Sequence, residues 1–374
     1  MSKTKIPEAV KIKLWGKAAG RCQYEGCNTP LWLDSLTKTE FNKSYLAHII
    51  ADEPGGPRGV KGLSEKLCKD ITNIMLMCDE HHRLIDKIDV AGHPAKRLFE
   101  MKKRHEQRVE LQTSVLENMQ SQILLYGANV GKHDSPVSYT NCIPALSPWY
   151  PASTHAIELG MKNSSFNDAE PHFWAIEREH LQRQFQSLVK PRLAQAEISH
   201  ISVFGLAPMP LLIEFGRLLS DIPAAEVYQL HREPSNWKWQ STNEKDFIVK
   251  TPDSFDGEPV LNLSISATIV DSRISSVLRE KHSIWTVTVP KPNNDCMKNK
   301  NQLRSFRDTL RKLFNQIKTA HGEKTILHIF PAVPVSVAIE IGRVWMPKAD
   351  LPLRIYDENK KVGGFRHVFD IDRT

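Results

Sequence analysis

HISVFGLAPMPLLIEFGRLL (His200–Leu219) and LHIFPAVPVSVAIEIGRVW (Leu327–Trp345) are two versions of one stretch, held at a constant offset of 126 residues. Phe204 aligns with Phe330, Pro208 with Pro334, Glu214 with Glu340, Gly216 with Gly342 and Arg217 with Arg343. Each begins as a short apolar run, passes through a proline-bearing loop and continues with helical spacing, which reads as a buried strand entering a helix. About ten residues later each reaches a second strand-like run, AEVYQLH around Tyr228 and LRIYDE around Tyr356. Upstream of each lies a polar amphipathic helix (His180–Leu193 and Leu303–Lys318), and before the second of these an extended segment, Ser283–Pro290. Strand, helix, strand, helix, strand is the order of a parallel βαβ unit, so a duplicated α/β domain is expected.

Two such units leave a crevice beyond the carboxyl ends of their strands. The loops there are Gly205–Pro210 and Pro331–Pro334, each opening a helix whose free N–H groups suit an anion. Pro208, Met209, Pro331, Ala332 and Val333 are therefore candidate ligand contacts, and Trp237 and Trp239 candidate stacking partners for a base, with Trp149 and Tyr150 as further aromatics. Arg217 and Arg343, at equivalent places inside helices, are read as residues of the repeat's own structure. Neither loop is a GxGxxG or a GxxxxGK[ST], so ordinary dinucleotide or Walker-type binding is not supported.

Working outward, residues 1–92 are rich in Cys, His, Gly and Lys. Residues 93–126 show helical recurrence (Leu98, Met101, His105, Val109, Leu116, Met119) after Pro94 and read as a connecting helix. Residues 127–154 read as a linker, and 155–374 as the duplicated domain with halves at about 155–260 and 261–374. A chain of 374 residues has length for two or three domains, and 40% apolar with 25% charged residues excludes a mostly disordered chain. No apolar run is long enough to span a membrane, and the opening MSKTKIPEAV has no apolar signal region, so a cytoplasmic protein is expected. Residues 1–125 hold 20 Lys and Arg against 16 Asp and Glu, which points weakly to an acidic polymer as partner of the first third.

The sharper chemistry is in that first third. Cys22-x4-Cys27 and, some fifty residues later, Cys78-x2-His81 are two close-spaced pairs of soft ligands, as a structural zinc site of the Cys3His type requires. Cys68, Cys142 and Cys296 have no such neighbour and are read as core or surface thiols. His48 follows the run SYLAHII at a strand end, Asn73 lies in ITNIMLMC, and His82 and Asp86 stand four apart, on one face of a helix, where they can grip one hard cation.

His48, Asn73 and His82 in that order around paired zinc ligands make residues 15–90 resemble the HNH (ββα-metal) endonucleases. The resemblance implies a strand hairpin and helix, His48 as general base, Asn73 holding that histidine's loop and ring, and His82 with Asp86 on Mg2+ or Mn2+. Where many members carry Asp or His before the base, this chain has Ala47, so metal binding would lean on Asp86, Asp52 or water. With the repeat motif FxxxPxxxxxExGR, the whole chain is similar to HNH–SAVED effectors of bacterial anti-phage (CBASS) signalling, in which SAVED is a fusion of two CARF-like, Rossmann-like units. This implies a nuclease that binds a cyclic di- or trinucleotide, forms a homo-oligomer on activation and degrades double-stranded DNA, with no membrane partner. Two other readings stay open: a restriction-type HNH nuclease whose C-terminal domain reads DNA without a messenger, and a zinc-bearing nucleic-acid binder without catalysis.

Overall fold

The computed structural model describes residues 4–130, 137–161, 164, 166–170, 172–195, 197–241, 246–278, 280–359 and 363–373. The chain divides into two compact units, 1–117 and 118–374.

The first unit runs α1 (Glu8–Lys17), β1 (Tyr45–His48), α2 (Leu63–Leu67), β2 (Ile74–Met77), α3 (Asp79–Arg83) and α4 (Ala95–Thr113), with a wider helical turn at Leu84–Ile88 continuing α3. β1 and β2 pair antiparallel with His48 opposite Ile74 and Tyr45 opposite Met77. All four residues of β2 are buried, and Leu14, Leu31, Ile49, Ile85, Leu98 and Met101 complete a small core around them. In α4 the buried residues are Leu98, Met101, Lys102 and His105, one stripe at three- and four-residue steps. Each fully buried aliphatic side chain there contributes about 1.5–3 kcal/mol, so so short a roster leaves the unit dependent on other fastenings.

The helix expected over 93–126 ends at Thr113, and Leu111 and Leu116 are exposed. Gln120–Gly127 is instead a strand (β3), with Ser121 to Tyr126 buried. The run Ile123–Tyr126 is apolar at every position, which suits a parallel strand covered on both faces and mimics a helix continuation in sequence. The expected linker 127–154 likewise belongs to the second unit: it holds α5 (Tyr139–Cys142) and β4 (Tyr150–Pro151), while its residues 131–136 lie outside the described residues.

The second unit continues with β5 (Ile157–Leu159), α6 (Phe173–Gln184), α7 (Lys190–Ala194), β6 (Ile201–Leu206), α8 (Met209–Leu219) and β7 (Ala225–Val227). Then come β8 (Ile248–Lys250), β9 (Glu258–Ser264), α9 (Asp271–Ser275), β10 (His282–Thr288), α10 (Lys300–His321), β11 (Leu327–Ala332), α11 (Val335–Val344), β12 (Leu353–Asn359) and β13 (Gly364–Ile371). One sheet has the order β4-β3-β6-β7 with β5 also on β3, and the other β13-β12-β11-β9-β10-β8. In both, the strand entering the repeat helix (β6 or β11) lies between the half's first parallel strand (β3 or β9) and its last parallel strand (β7 or β12), all parallel. The duplication therefore extends to topology. The expected division at 260/261 falls inside β9, so the halves meet earlier, ahead of β8.

The repeat residues explain the packing. Glu214 binds Arg217 (2.6 Å) and Glu340 binds Arg343 (2.9 Å) one turn apart, and Arg343 also donates to the Ser220 carbonyl at 3.1 Å. Gly216 and Gly342 let α8 and α11 cross backbone to backbone: a Cβ on Gly216 would sit 1.9 Å from the Ile339 oxygen, and one on Gly342 1.9 Å from the Ile213 oxygen. Phe204 stacks on Tyr228 at 4.4 Å and Phe330 on Tyr356 at 4.3 Å, so the aromatic pair is duplicated too. None of the described helices is long and apolar enough to cross a membrane.

Candidate functional site

Two places in the molecule gather polar side chains, one in each unit. In the first unit the loop before β1 and the start of α3 converge. Cys22 Sγ, Cys27 Sγ, Cys78 Sγ and one nitrogen of His81 all lie within 4.8 Å of one another, the four ligands expected from spacing. Cys78 is the residue before α3 and His81 is one turn in, so a helix start supplies one pair. The other pair is moored by Gln23, which is buried: its amide oxygen accepts from Leu76 N at 2.8 Å and its own N–H donates to the Leu76 carbonyl at 2.9 Å. The Tyr24 ring stacks on His81 at 4.1 Å, and its hydroxyl bonds His93 at 3.0 Å. Burial pushes the Cys22 and Cys78 thiols up, so without a cation they would stay protonated.

The other four expected residues, His48, Asn73, His82 and Asp86, lie on the same unit. His48 closes β1 and is buried; its Nε2–H donates to the Cys68 carbonyl at 2.8 Å. That bond puts the neutral ring's proton on Nε2 and leaves Nδ1 as the acceptor. Asn73 clasps the backbone two residues past His48, accepting from Ile50 N at 2.8 Å and donating to the Ile50 carbonyl at 2.8 Å. It thus ties down the chain just past His48, while the His48 ring is held by the Cys68 carbonyl. His82 Nε2 lies 3.2 Å from Asp86 Oδ2, and the Tyr45 ring stacks on His82 at 4.8 Å. Asp86 also receives Arg58 at 2.6 Å, an ion pair that sequence reasoning missed because no spacing rule links the two. Hydrogen bonds from His82 and Arg58 outweigh burial and hold the Asp86 carboxyl below its ordinary range. Ala47 is in the core, and Asp52 accepts from Thr4 N at 3.2 Å. Among the described residues no group of three or more His, Cys or carboxylate atoms besides the Cys22 set is so close-knit.

In the second unit a cleft of about 400 Å³ opens at the carboxyl ends of β6 and β11 and just past β9, lined by Leu206, Gln229, His231, Ser266, Asn294 and Val333, among others. This is where a parallel sheet's crevice should fall. The two repeat loops do meet: Val333 N donates to Met209 Sδ at 3.3 Å. Of the expected contacts Val333 lines the cleft, while Pro208 precedes α8, Met209 opens it, and Pro331 and Ala332 end β11, none of these four lining it. Trp237 is a correction. It is buried and packs edge-on against Phe204 at 5.2 Å, so it belongs to the core and presents no face to a base. Trp239 is half-buried and edge-on to His231 at 5.8 Å, and Trp149 is already stacked on His200 at 3.6 Å. Sequence reasoning missed Gln229, His231, Ser266 and Asn294, which sit in loops after β7, β9 and β10: the first two fall in the run AEVYQLH, of which only Ala225–Val227 is strand, and the other two lie outside the repeat. Cys142 and Cys296 are core residues.

No curated protein matches the sequence. Among solved structures, the chain is similar to the Acinetobacter baumannii Cap4 SAVED/CARF-domain containing receptor with the cyclic trinucleotide 2'3'3'-cAAA, at 12% identity and TM-score 0.43, over 74% of this chain and 56% of that one. The same receptor with 3'3'3'-cAAA matches at 14% identity and TM-score 0.42, over 74% and 56%. The receptor alone matches at 11% identity and TM-score 0.40, over 83% and 64%. The chain thus spans somewhat over half the length of the first two, 56% of each. Residues 181–371, just over half of the chain, match the family described as the SMODS-associated and fused to various effectors sensor domain. This chain belongs to the SAVED family.

Proposed function

We propose that the chain is a metal-dependent HNH deoxyribonuclease switched on by a cyclic oligonucleotide held in its SAVED unit, acting on double-stranded DNA in anti-phage defence. The observation that carries the nuclease half is the order β1, β2, α3 with His48, Asn73 and His82 on it, beside four converging soft ligands.

The donor sets suit their ions. A tetrahedral zinc with bonds of about 2.3 Å to sulfur needs ligand atoms about 3.8 Å apart, within reach of a group already inside 4.8 Å. Cys22, Cys27, Cys78 and His81 would hold it, as a fastening for a thin core. An octahedral Mg2+ with bonds of about 2.1 Å has neighbouring ligands about 3 Å apart, and His82 Nε2 and Asp86 Oδ2 are 3.2 Å apart. When bound there, that cation supplies charge stabilisation at the scissile phosphate. His48 Nδ1 takes the proton of the attacking water, since Nε2 is committed to Cys68. Asn73 keeps the strand end that carries His48 from shifting.

The sensor half rests on family membership and on the cleft, whose 400 Å³ lies in the usual range of small-molecule sites. A messenger there would promote self-association and bring copies of the first unit together on DNA.

The test is plasmid cleavage with Mg2+, run without addition and with a panel of cyclic di- and trinucleotides. Cutting that needs one member of the panel supports both halves. Cutting without any addition favours the restriction-type reading. His48→Ala should slow cleavage by at least about 100-fold with zinc content and messenger affinity unchanged, and near-normal cutting removes His48 from the base role.

A further inference from the structure

The glycine-rich loop Pro54–Gly62 (PGGPRGVKG) carries one side chain into the interior. Arg58 is 7% exposed, and its backbone has φ +58°, a left-handed conformation that costs a side-chain-bearing residue about 1 kcal/mol or more. Its neighbour must be glycine: a Cβ at Gly59 would lie 2.4 Å from the Glu53 oxygen. The loop is built around this placement.

All five guanidinium N–H groups face protein acceptors. Nε donates to the Ile49 carbonyl at 2.6 Å, Nη1 to the Ile85 carbonyl at 2.7 Å and the His93 carbonyl at 3.5 Å, and Nη2 to Asp86 Oδ1 at 2.6 Å and the His48 carbonyl at 3.5 Å. One rigid fork therefore joins the strand end that carries His48 to the helical turn that carries Asp86. No donor is left for a substrate. A lysine, a point charge with three rotatable donors, cannot reproduce this.

We propose that Arg58 is a positioning residue of the phosphodiester-cleaving site, which clamps the backbone of His48 to Asp86 and, by occupying Asp86 Oδ1, presents Oδ2 beside His82 to the divalent cation. This rests on the proposed nuclease function. Partners that orient a metal-binding carboxylate typically govern about 10–100-fold of metal affinity, and that is the effect expected here.

The experiment measures Mn2+ affinity of the zinc-replete full chain by titration without DNA, and cutting of plasmid by the same samples in the presence of the panel of cyclic di- and trinucleotides, for wild type, Arg58→Gly and Arg58→Lys. Glycine adopts φ +58° freely, so Arg58→Gly empties the fork without backbone strain. The expected result is Mn2+ binding weakened at least about tenfold in both variants, restored in Arg58→Gly by millimolar guanidinium and not by ammonium. Zinc content and the melting of the second unit should stay as in wild type. If Arg58→Gly does not fold, Arg58→Lys decides alone. Wild-type Mn2+ affinity and cutting in a folded variant, or a loss that guanidinium fails to restore in folded Arg58→Gly, overturn the proposal while the nuclease reading stands. Wild type that neither binds Mn2+ nor cuts overturns the nuclease reading, and this proposal with it.

Discussion

The two units solve one problem, bringing distant segments into fixed contact, by opposite means. The first fastens Cys22 and Cys27 to Cys78 and His81 through atoms within 4.8 Å, and adds Gln23, Asn73 and Arg58, side chains that reach across to backbone groups. The second relies on apolar burial that runs continuously from Leu124 and Phe173 through α8 and α11 to Ile355. Its buried Glu340–Arg343 pair lies at a helix–helix contact that Gly216 and Gly342 have already made close. With the proposed zinc in place the first unit should be sensitive to metal loss, and steric fit should make the second sensitive to added volume.

The sharpest way to break the comparison is to remove a fastening. Cys78→Ser, or a strong chelator, should unfold residues 1–117 while the second unit keeps its melting transition. Structural zinc in small modules contributes on the order of 10 kcal/mol, more than a thin core can replace. Calorimetry checks this: an unaltered first-unit transition in a metal-free variant would show that its core suffices.

Added volume is the complementary probe. Gly342→Ala sets a methyl 1.9 Å from the Ile213 oxygen, a main-chain atom that cannot turn away. We expect about 3 kcal/mol lost from the second unit and nothing from the first, measured by denaturant unfolding of each transition. The equivalent Gly216→Ala should cost about the same, because the crossing is the same contact seen from its other side.

The difference between the units also decided what could be read from residues alone. The Cys22, Cys27, Cys78, His81 group was legible because ligand chemistry dictates residue type and spacing. The βαβ duplication was legible because repeated packing needs repeated residues, Glu214, Gly216 and Arg217 against Glu340, Gly342 and Arg343. β3 was not, because an apolar run such as Ile123–Tyr126 fits a buried strand and a helix equally well. Nor was the role of Trp237, since indoles serve cores and ligands alike and only the surroundings decide. The cleft's Gln229, His231 and Asn294 come from loops, where no periodicity exists to mark them. Arg58 escaped for a related reason: its partners are mostly carbonyls, which any residue carries.

Acid should act on the two units through different groups. In the first, lowering pH protonates the thiolates and imidazole that a cation needs, so its stability falls. In the second, Asp357 on β12 is buried, and burial first, then the nearby Asp168 and Glu358 charges, push its carboxyl up to about 7 against the pull of Arg366. The folded unit therefore holds a proton that the unfolded chain, near 3.8, has released. Stability is full below the unfolded value and is lost as pH rises toward and through about 7. Burial holds His200, His231, His321 and His328 below the ordinary imidazole value, and these act the other way as pH falls from 8 to 6, so the share of Asp357 is the difference between wild type and Asp357→Asn. Asp357→Asn keeps the shape without the charge, so it should stabilise the second unit over wild type by about 2 kcal/mol at pH 8 and by clearly less at pH 6. The first unit's response should not change. An equal gain at pH 8 and pH 6, or none at pH 8, would show that Asp357 does not carry this titration.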